Sequence, residues 1–360
     1  MVSVIRLQLV LLFSLCASFA HAAPGVEVVS KGLSRPWGMA EVVPGKLLIS
    51  SITGQFSLFD TQTRMLTPIK GAPAVRVSGQ GGLLDVAVPP EYTPGDWIYF
   101  TYSKPVGDEG ATTLARAKLD MKTNSLTSWQ DLLVTQSVSS TSHHYGSRIA
   151  FLPGYVFFTV GDRGARESAQ DLSSHNGSVI RLNRDGSVPE ENPFVGVKGA
   201  LPEIWSYGHR NPQGLAVDSE GRLWEIEHGP RGGDEINLIQ PGLNYGWPEV
   251  SQGKEYWNPL QVGVSAKAGM EPAKKVYVPS IAPGSLIFVE HTTYGWQGDL
   301  LAGALKLQHL NRITLKGDEV VGEQRYFEDR GQRIRALLED HKGTLWLATD
   351  GGELWRVLPE

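Results

Sequence analysis

The chain repeats one local pattern six times: an apolar or alternating run of residues that opens on a turn containing glycine. A second apolar run often precedes the turn, as "SRIAFLP" precedes "GYVFFTVGDRG". Two such runs joined by glycine are typical of an antiparallel β-hairpin, because glycine tolerates the backbone of tight turns. The turn glycines are Gly45, Gly95, Gly154, Gly221, Gly298 and Gly343.

Six hairpins without a convincing long amphipathic helix restrict the chain to an all-β architecture. Six units of similar design favour a six-bladed β-propeller of four-stranded antiparallel blades, whose closed ring leaves only short, protected strand edges. A pair of β-sandwiches with coincidental turns is the alternative. The 360 residues, 41% of them hydrophobic, are enough to bury a large core.

The first 22 residues have the composition of a secretory signal peptide. Arg6 precedes the apolar run "LQLVLLFSLCASF", and "AHA" supplies a small-x-small cleavage site. The sequence therefore predicts a leader over residues 1–22, cleavage after Ala22 and a mature propeller domain over residues 23–360, in the periplasm or secreted. The only cysteine, Cys16, lies inside the leader, so the mature chain would have no disulfide.

Charge and composition exclude several classes of partner. Acidic and basic residues number 38 and 33, for a formal net charge of −5, which gives no reason to expect nucleic acid or an anionic membrane. Beyond the leader, no segment approaches 18 uninterrupted apolar residues, so no membrane span is expected. No sustained apolar surface pattern stands out, which favours a monomer. Nucleophile elbow, P-loop and dinucleotide fingerprints are missing from the sequence.

Positions nearly symmetric about the hairpin turns identify one end of the predicted ring. Such positions return to the same end of two antiparallel strands, and repetition around a ring brings them together on one face. Ten residues before the turn glycines stand Arg35, His144, Asn211 and Arg333, and eight residues after them stand Thr53, Ser103, Asp162, Gly229 and Lys306.

The stretch "TSHHYGSRIAFLPGYVFFTVGDRG" places His144 and Asp162 in one hairpin. The two should meet at its open end, where a carboxylate orients an imidazole and raises its basicity. Because neighbouring residues of an extended chain point in opposite directions, only one of His143 and His144 can face the centre. The register selects His144 as the candidate base.

Cationic residues share this end of the predicted ring. Arg210 and Asn211 in "YGHRNPQG" have the inward register, and Lys306 comes from another hairpin. Arg333 and Arg335 in "QRIRALLED" share one strand face by period two. Four cations on one face of an acidic protein indicate an anionic ligand, since guanidinium groups suit carboxylate or phosphate. Separate surface salt bridges are the alternative.

The segment "EHGPRGGDEINLI" offers hard oxygen ligands. Glu227, Asp234 and Glu235 accompany carbonyls exposed by the irregular Gly229-Pro230 backbone, a set that Ca²⁺ prefers. The spacing does not fit an EF-hand, and scattered histidines without cysteine do not favour zinc. A solvated turn is the alternative. In "GQGGLLDVAV", a glycine-rich turn carries one glutamine and lets backbone approach a ligand closely, although such turns are common at strand ends.

Nine segments, taken together and in order, resemble the soluble pyrroloquinoline-quinone (PQQ)-dependent sugar dehydrogenases, which comprise soluble glucose dehydrogenase and the shorter bacterial aldose sugar dehydrogenases. The resemblance extends from about Gly32 to Val357, and the length favours the aldose sugar dehydrogenase branch. The segments are "RPWGMA", "GQGGLLDVAV", "HHYGSRIAF", "FFTVGDRG", "IWSYGHRNPQGLAVD", "EHGPRGGDEINLI", "NYGWP", "PSIAPGSLIF" and "QRIRALLEDHKGTLWLATDGGELWRV".

This resemblance implies a six-bladed propeller with the quinone across its top face. It implies that His144 is the catalytic base, Asp162 its acidic partner and Gln80 a polar group beside the reacting carbon. The implied ligands of the quinone and its carboxylates are Arg210, Asn211, Lys306, Arg333 and Arg335. The implied Ca²⁺ ligands are the Gly229 and Pro230 carbonyls at the cofactor, with Asp234, Glu235 and Tyr245 in a second, structural calcium region.

The expected activity is that of a periplasmic quinoprotein that oxidises the C1 hydroxyl of aldoses to lactones. His144 would take the hydroxyl proton while hydride passes from C1 to the quinone. A cytochrome or a quinone would take the electrons. The other hypothesis is a Ca²⁺-dependent propeller lactonase or a non-redox sugar-binding propeller.

Three departures from soluble glucose dehydrogenase concern glucose preference, cofactor affinity and the basicity of the catalytic histidine. His143 stands where that enzyme has an acid, so a second imidazole adjoins the expected base. Val278 replaces an aromatic residue near the cofactor, and Ser280 replaces a threonine. With Val278 and short loops, the resemblance implies an open, permissive site.

Overall fold

The computed structural model describes residues 24–359, which form six four-stranded antiparallel sheets. This confirms the predicted six-bladed β-propeller. The strands of the first three blades are β2 (Pro36–Val43), β3 (Lys46–Ser51), β4 (Gln55–Asp60) and β5 (Leu66–Ile69); β6 (Leu83–Ala87), β7 (Trp97–Val106), β8 (Glu109–Asp120) and β9 (Ser125–Val134); and β10 (Ile149–Leu152), β11 (Tyr155–Val160), β12 (Ser178–Asn183) and β13 (Ile204–Tyr207).

The last three blades are built in the same way, except that the first strand of the chain completes the sixth. β1 pairs antiparallel with β24, so the two chain ends close the ring. The strands are β14 (Pro212–Val217), β15 (Leu223–Glu227), β16 (Asp234–Ile239) and β17 (Lys275–Tyr277); β18 (Pro283–Phe288), β19 (Leu300–Ala304), β20 (Leu310–Lys316) and β21 (Glu319–Tyr326); and β22 (Ile334–Glu339), β23 (Leu345–Thr349), β24 (Leu354–Leu358) and β1 (Gly25–Ser30).

The remaining regular structure is limited to two short 3-10 helices, Arg166–Gln170 and Glu328–Arg330. Within residues 24–359, no helix is long and apolar enough to cross a membrane. The predicted leader over residues 1–22, with Cys16, lies outside the described residues, so it stays a prediction.

The apolar core lies between neighbouring blades rather than inside one layer. Both faces of the inner strands are covered by adjacent blades, and β3 and β11 are buried along nearly their whole length. Such strands therefore read as continuous apolar runs rather than as a clean alternation. Between the first and second blades, for example, Phe56 and Phe100 pack edge to face with ring centres 5.0 Å apart.

A bulge recurs at the beginning of the inner strands. The register between the first two strands shifts near the start of β2, β6, β14, β18 and β22. A bulge bends its strand and redirects the adjacent side chains. The residues just before the inner strands are thus directed toward the propeller axis, where the hairpin register predicts convergence.

The guanidinium group of Arg148, just before β10, links all six inner strands. Its Nη1 donates to Asp85 Oδ1 of the second blade at 2.7 Å, and its Nε donates to the Gln213 carbonyl of the fourth at 2.9 Å. Its Nη2 lies within 3.2 Å of carbonyl oxygens from the three remaining blades, those of Trp37, Gly284 and Arg335. We call this buried arrangement the axial hub.

The Arg148→Leu substitution tests the axial hub. It leaves Asp85 buried without its cation and five blades without a shared donor, so we expect the free energy of unfolding in urea to fall by about 3–5 kcal/mol. The control is Arg64→Leu, which breaks an exposed ion pair with Glu27 and should cost less than about 1 kcal/mol. Equal losses in both variants would contradict the importance of the hub.

Candidate functional site

His144 and Asp162 meet at the open end of the third blade's first hairpin, as the register predicts. His144 Nδ1 lies 2.6 Å from Asp162 Oδ1, and the carboxylate is fully buried. The same oxygen accepts the Gly164 amide at 2.7 Å, while Oδ2 accepts the Trp247 indole N–H at 2.8 Å. Three donors therefore fix the carboxylate, which in turn fixes the imidazole ring.

The backbone of His144 is held in an uncommon conformation. Its φ of 58° lies in the left-handed region, which costs a residue with a Cβ about 1–3 kcal/mol. Its amide donates to Gln80 Oε1 at 2.8 Å, so Gln80 stabilises this conformation from the neighbouring blade. Gly161 permits the close approach, since a Cβ there would lie 2.2 Å from the His144 carbonyl oxygen.

The protonation states of the pair follow from their surroundings. Burial lowers the pKa of His144 below its ordinary value of 6.5, and the positive charges of Arg210 and His143 lower it too, outweighing the hydrogen bond and charge of Asp162. For Asp162, burial raises the pKa, but the contacts with His144 outweigh it and leave the pKa lowered. At neutral pH the carboxylate is ionised and accepts the Nδ1 proton of a neutral imidazole. The second nitrogen, Nε2, is then the basic one.

His143 lies beside this pair, not in it. Its ring packs edge to face on the ring of His144, with centres 4.6 Å apart, and its side chain is exposed. The buried guanidinium of Arg163 donates to the His143 carbonyl oxygen and covers the Tyr145 ring, with 3.5 Å from its central carbon to the ring centre. Arg163 therefore anchors the loop that carries both histidines.

Arg333 and Arg335 share one carboxylate, as expected for residues on one strand face. Arg333 Nε donates to Asp350 Oδ2 at 2.8 Å, and Arg335 Nε donates to Asp350 Oδ1 at 2.9 Å. Arg333 also donates to the carbonyl oxygen of Leu305, and the next residue is the exposed Lys306. The sixth blade thus brings two of the predicted cations together around one acid, and the bond to Leu305 links them to the segment of the fifth blade that carries Lys306.

A chain of polar side chains connects this group to the histidine loop. Arg335 Nη1 donates to Gln213 Oε1 at 3.3 Å, and Gln213 Nε2 lies 3.5 Å from Asn211 Oδ1. Asn211 Oδ1 accepts the amide of Gly146 at 3.1 Å, two residues from His144. The cations and the His144–Asp162 pair therefore belong to one end of the axis.

Two buried donors at this end have no hydrogen-bond partner among residues 24–359: Arg210 Nε and Asn211 Nδ2. Among the residues that the structure describes, the Arg210 guanidinium donates to one acceptor, the backbone carbonyl of His228, at 3.2 Å. Unpaired buried donors are costly, and native proteins leave few of them. Both atoms belong to residues that the sequence predicts as ligands of an anion.

Hydrogen bonds to the Asp234 carboxylate hold the Gly229-Pro230 turn in its conformation. Asp234 Oδ1 accepts the Gly229 amide at 2.9 Å, and Oδ2 accepts the Ala282 amide at 2.7 Å. Only glycine fits at position 229, because a Cβ would lie 2.0 Å from the Gly233 carbonyl oxygen. The Asp234 carboxylate thus shapes the turn that contains the two predicted carbonyl ligands, of which the Pro230 carbonyl accepts the Ser280 hydroxyl at 3.3 Å.

The other residues of the predicted calcium region are placed differently. Glu235 is half-buried and pairs across the sheet with Glu227. The Tyr245 hydroxyl donates to the Leu238 carbonyl at 2.7 Å and accepts the Gln240 amide at 2.9 Å. The hydroxyl of Tyr245 is therefore engaged by backbone. The structural calcium site stays a prediction.

Three residues that contribute to the site were not predicted from the sequence: Trp247, Asp350 and Arg163. Trp247 occurs in the motif "NYGWP", but its bond to Asp162 joins residues 85 positions apart. Asp350 follows the hairpin of β22 and β23. The sequence feature that could have identified it is the pair of arginines that it binds, Arg333 and Arg335.

A cavity of about 590 Å³ lies at the opposite end of the axis, and its lining contains none of the predicted site residues.

Comparison with known proteins identifies the family. The family model for Glucose / Sorbosone dehydrogenase matches residues 33–356. The chain therefore belongs to this family of sugar oxidoreductases. Aldose sugar dehydrogenase YliI of Escherichia coli strain K12 is 36% identical over 350 residues, covering 94% of this chain and 94% of that protein.

Solved structures agree in fold over almost the whole chain. The apo-form crystal structure of the soluble aldose sugar dehydrogenase from Escherichia coli has a TM-score of 0.90 at 35% identity and covers 94% of this chain and 100% of that one. The PQQ-bound aldose sugar dehydrogenase from Streptomyces coelicolor has a TM-score of 0.78 at 29% identity and covers 94% and 99%. The predicted resemblance is confirmed at the level of the family.

The pKa of His144 can be measured without any cofactor, by following its imidazole ¹⁵N shifts through a pH titration. We expect a value below 6.5. His143→Gln removes a neighbouring positive charge and should raise it, whereas Asp162→Asn removes the stabilising carboxylate and should lower it. A wild-type pKa at or above 6.5, or shifts of the opposite sign in the variants, would contradict the electrostatic description.

Proposed function

We propose that the protein is a PQQ-dependent aldose sugar dehydrogenase that oxidises the C1 hydroxyl of aldoses to lactones. The observation that carries the proposal is the buried His144–Asp162 pair, which shares one end of the axis with cations and unpaired donors. The family membership and the PQQ-bound relative support the same activity. The predicted leader supports a periplasmic location.

His144 is proposed as the general base. Asp162 fixes the Nδ1 proton, which leaves Nε2 free to accept the C1 hydroxyl proton of the sugar. The ionised carboxylate then stabilises the imidazolium that forms. Gln80 keeps the His144 backbone in place, and its side chain borders the same position. Burial keeps the imidazole neutral, the state a base requires.

The residues present fit an anionic quinone. Four positively charged side chains at this end are here called the cationic group: Arg210, Lys306, Arg333 and Arg335. Among residues 24–359, the ion pairs of Arg333 and Arg335 are both with Asp350. Asn211 Nδ2 and Arg210 Nε supply buried donors without partners among the described residues. These side chains would hold the carboxylates and carbonyls of PQQ. When bound, PQQ supplies the acceptor for the two electrons of the oxidation.

The Gly229-Pro230 turn is proposed to provide carbonyl ligands for Ca²⁺, the Lewis acid that polarises a quinone carbonyl. Carbonyl oxygens are ligands that Ca²⁺ accepts, and Asp234 holds the turn in shape. Ser280 contributes as well, since its hydroxyl accepts the Gly232 amide at 3.0 Å.

The proposed substrates are aldoses in general rather than glucose alone. Val278 is 71% exposed beside the Gly232 segment, so the site is open there. An open site excludes few sugars. The electrons would leave to a cytochrome or a quinone.

The direct test is dye-linked oxidation of glucose, xylose and maltose by purified apoprotein, with and without PQQ and Ca²⁺. We expect activity only when both are added. Hydrolysis of a sugar lactone with Ca²⁺ alone would favour the lactonase hypothesis. Sugar binding without turnover and without quinone binding would favour a non-redox sugar-binding propeller.

His144→Gln should lose about 10²–10⁴-fold in kcat, the usual contribution of a positioned base, and should still bind PQQ in an absorbance titration. The matched control is His341→Gln, which breaks an exposed histidine–carboxylate contact with Glu41 of 2.9 Å at the far end of the axis. That variant should turn over at the wild-type rate. Near wild-type turnover in His144→Gln would remove the proposed base.

A further inference from the structure

A second cluster of ligand-type side chains is buried in the fourth blade. One ligand atom each from His209, Glu225 and Glu227 lies within 4.8 Å of the others, and all three residues are buried. Glu225 and Glu227 lie two residues apart on β15 and so share a strand face. His209 reaches them from the segment between β13 and β14, with 3.1 Å from its Nδ1 to Glu227 Oε1.

Each of these side chains is oriented by a hydrogen bond on its other polar atom. His209 Nε2 lies 3.0 Å from Ser206 Oγ, and the ring stacks on Tyr245 with centres 4.7 Å apart. Glu227 Oε2 accepts the backbone amide of Arg210 at 2.6 Å. Supporting bonds that fix the far atom and direct the near one are typical of metal ligands.

The fourth side chain of the cluster is Asn237, opposite Glu225 on β16. Its Nδ2 donates to Glu225 Oε2 at 3.0 Å and lies 3.2 Å from Glu227 Oε1. Glu225 Oε1 and Asn237 Oδ1 are buried and have no partner among residues 24–359. Glu225 Oε1 is therefore an unused acceptor within the cluster that a cation would engage.

Two buried carboxylates side by side require a positive charge. Within the described residues, the ion pairs of Glu225 and Glu227 include no arginine or lysine, and the one basic partner is the His209 imidazole. Glu235 lies across the sheet from Glu227, so a third carboxyl group adjoins the pair. Unpaired buried charge is strongly unfavourable, so a proton or a metal ion must be taken up here.

We propose that His209, Glu225 and Glu227, with Asn237 bonded to both carboxylates, form a divalent metal site of the Zn²⁺ type, separate from the Gly229-Pro230 carbonyls. A nitrogen ligand among carboxylates suits Zn²⁺, whereas Ca²⁺ takes oxygen ligands. Donor atoms within 4.8 Å of one another must move closer together to surround an ion at about 2.0–2.2 Å.

This site would support the functional end of the propeller. Glu227 holds the Arg210 amide, and Arg210 and Asn211 are the residues with unpaired donors toward the proposed quinone. A metal ion on Glu227 Oε1 would fix the carboxylate that positions this segment. The metal proposal does not depend on the proposed activity, because metal content is measured without substrate or quinone.

The test is metal content in protein saturated with Ca²⁺, so that oxygen-only sites are filled. The full chain is stripped with a chelator of transition metals, dialysed against ZnCl₂ with excess Ca²⁺, and measured by mass spectrometry of its metals. We expect one more Zn²⁺ per chain in wild type than in Glu225→Gln, with Zn²⁺ affinity reduced at least about 100-fold in the variant. His209→Asn, as a second variant, should lose the same equivalent.

The matched control is Glu203→Gln, which alters another histidine–glutamate contact, the one with His175 at 3.5 Å. It should retain the wild-type metal content. Co²⁺ substitution gives an independent readout: wild type should show the visible bands of a nitrogen- and oxygen-ligated ion that are missing in Glu225→Gln. The proposal is overturned if Glu225→Gln binds as much Zn²⁺ as wild type. It is also overturned if wild type binds none, in which case the carboxyl pair shares a proton.

Discussion

The axial hub is the interaction on which the rest of the structure depends. One guanidinium group, that of Arg148, takes its five acceptors from five blades and belongs to the sixth. A buried guanidinium has a fixed fork of donors, so it sets the relative positions of the strands that it binds. The inner strands are therefore locked near their first residues, at the end where the polar residues gather. Arg148 and His144 share one loop segment, which ties the proposed base to the hub by four residues of chain.

The functional end combines the His144–Asp162 pair with cations that outnumber their acidic partners among residues 24–359. Asp162 is buried but fully bonded, so its charge is available to hold a proton on His144 Nδ1. The arginine pair of the sixth blade shares Asp350, while the Arg210 guanidinium meets only a carbonyl. The low dielectric constant of the protein interior around these groups strengthens their interactions with a bound anion. The proposed base and the proposed anion-binding groups thus arise from different blades and meet because the ring is closed.

Much of this arrangement follows from local sequence. Turn glycines fix where each inner hairpin reverses, and positions ten residues before and eight residues after the turn glycine bring His144 to Asp162. The same logic places Arg333 and Arg335 on one strand face. The hub, the indole of Trp247 and the carboxylate of Asp350 depend on contacts between distant blades, which no short pattern encodes. The His209 cluster escaped sequence reasoning because histidine and glutamates from separate segments meet only in the folded fourth blade. Closure of the ring by β1 is likewise a non-local pairing.

The most direct test of the central claim is a crystal structure of the protein soaked with PQQ and Ca²⁺. We expect electron density for the quinone at the His144 end of the axis, with its carboxylates bonded to the Asn211 amide and to arginines of the cationic group, and Ca²⁺ at the Gly229-Pro230 carbonyls. Quinone bound instead in the cavity at the opposite end, or no quinone bound at saturating concentration, would contradict it.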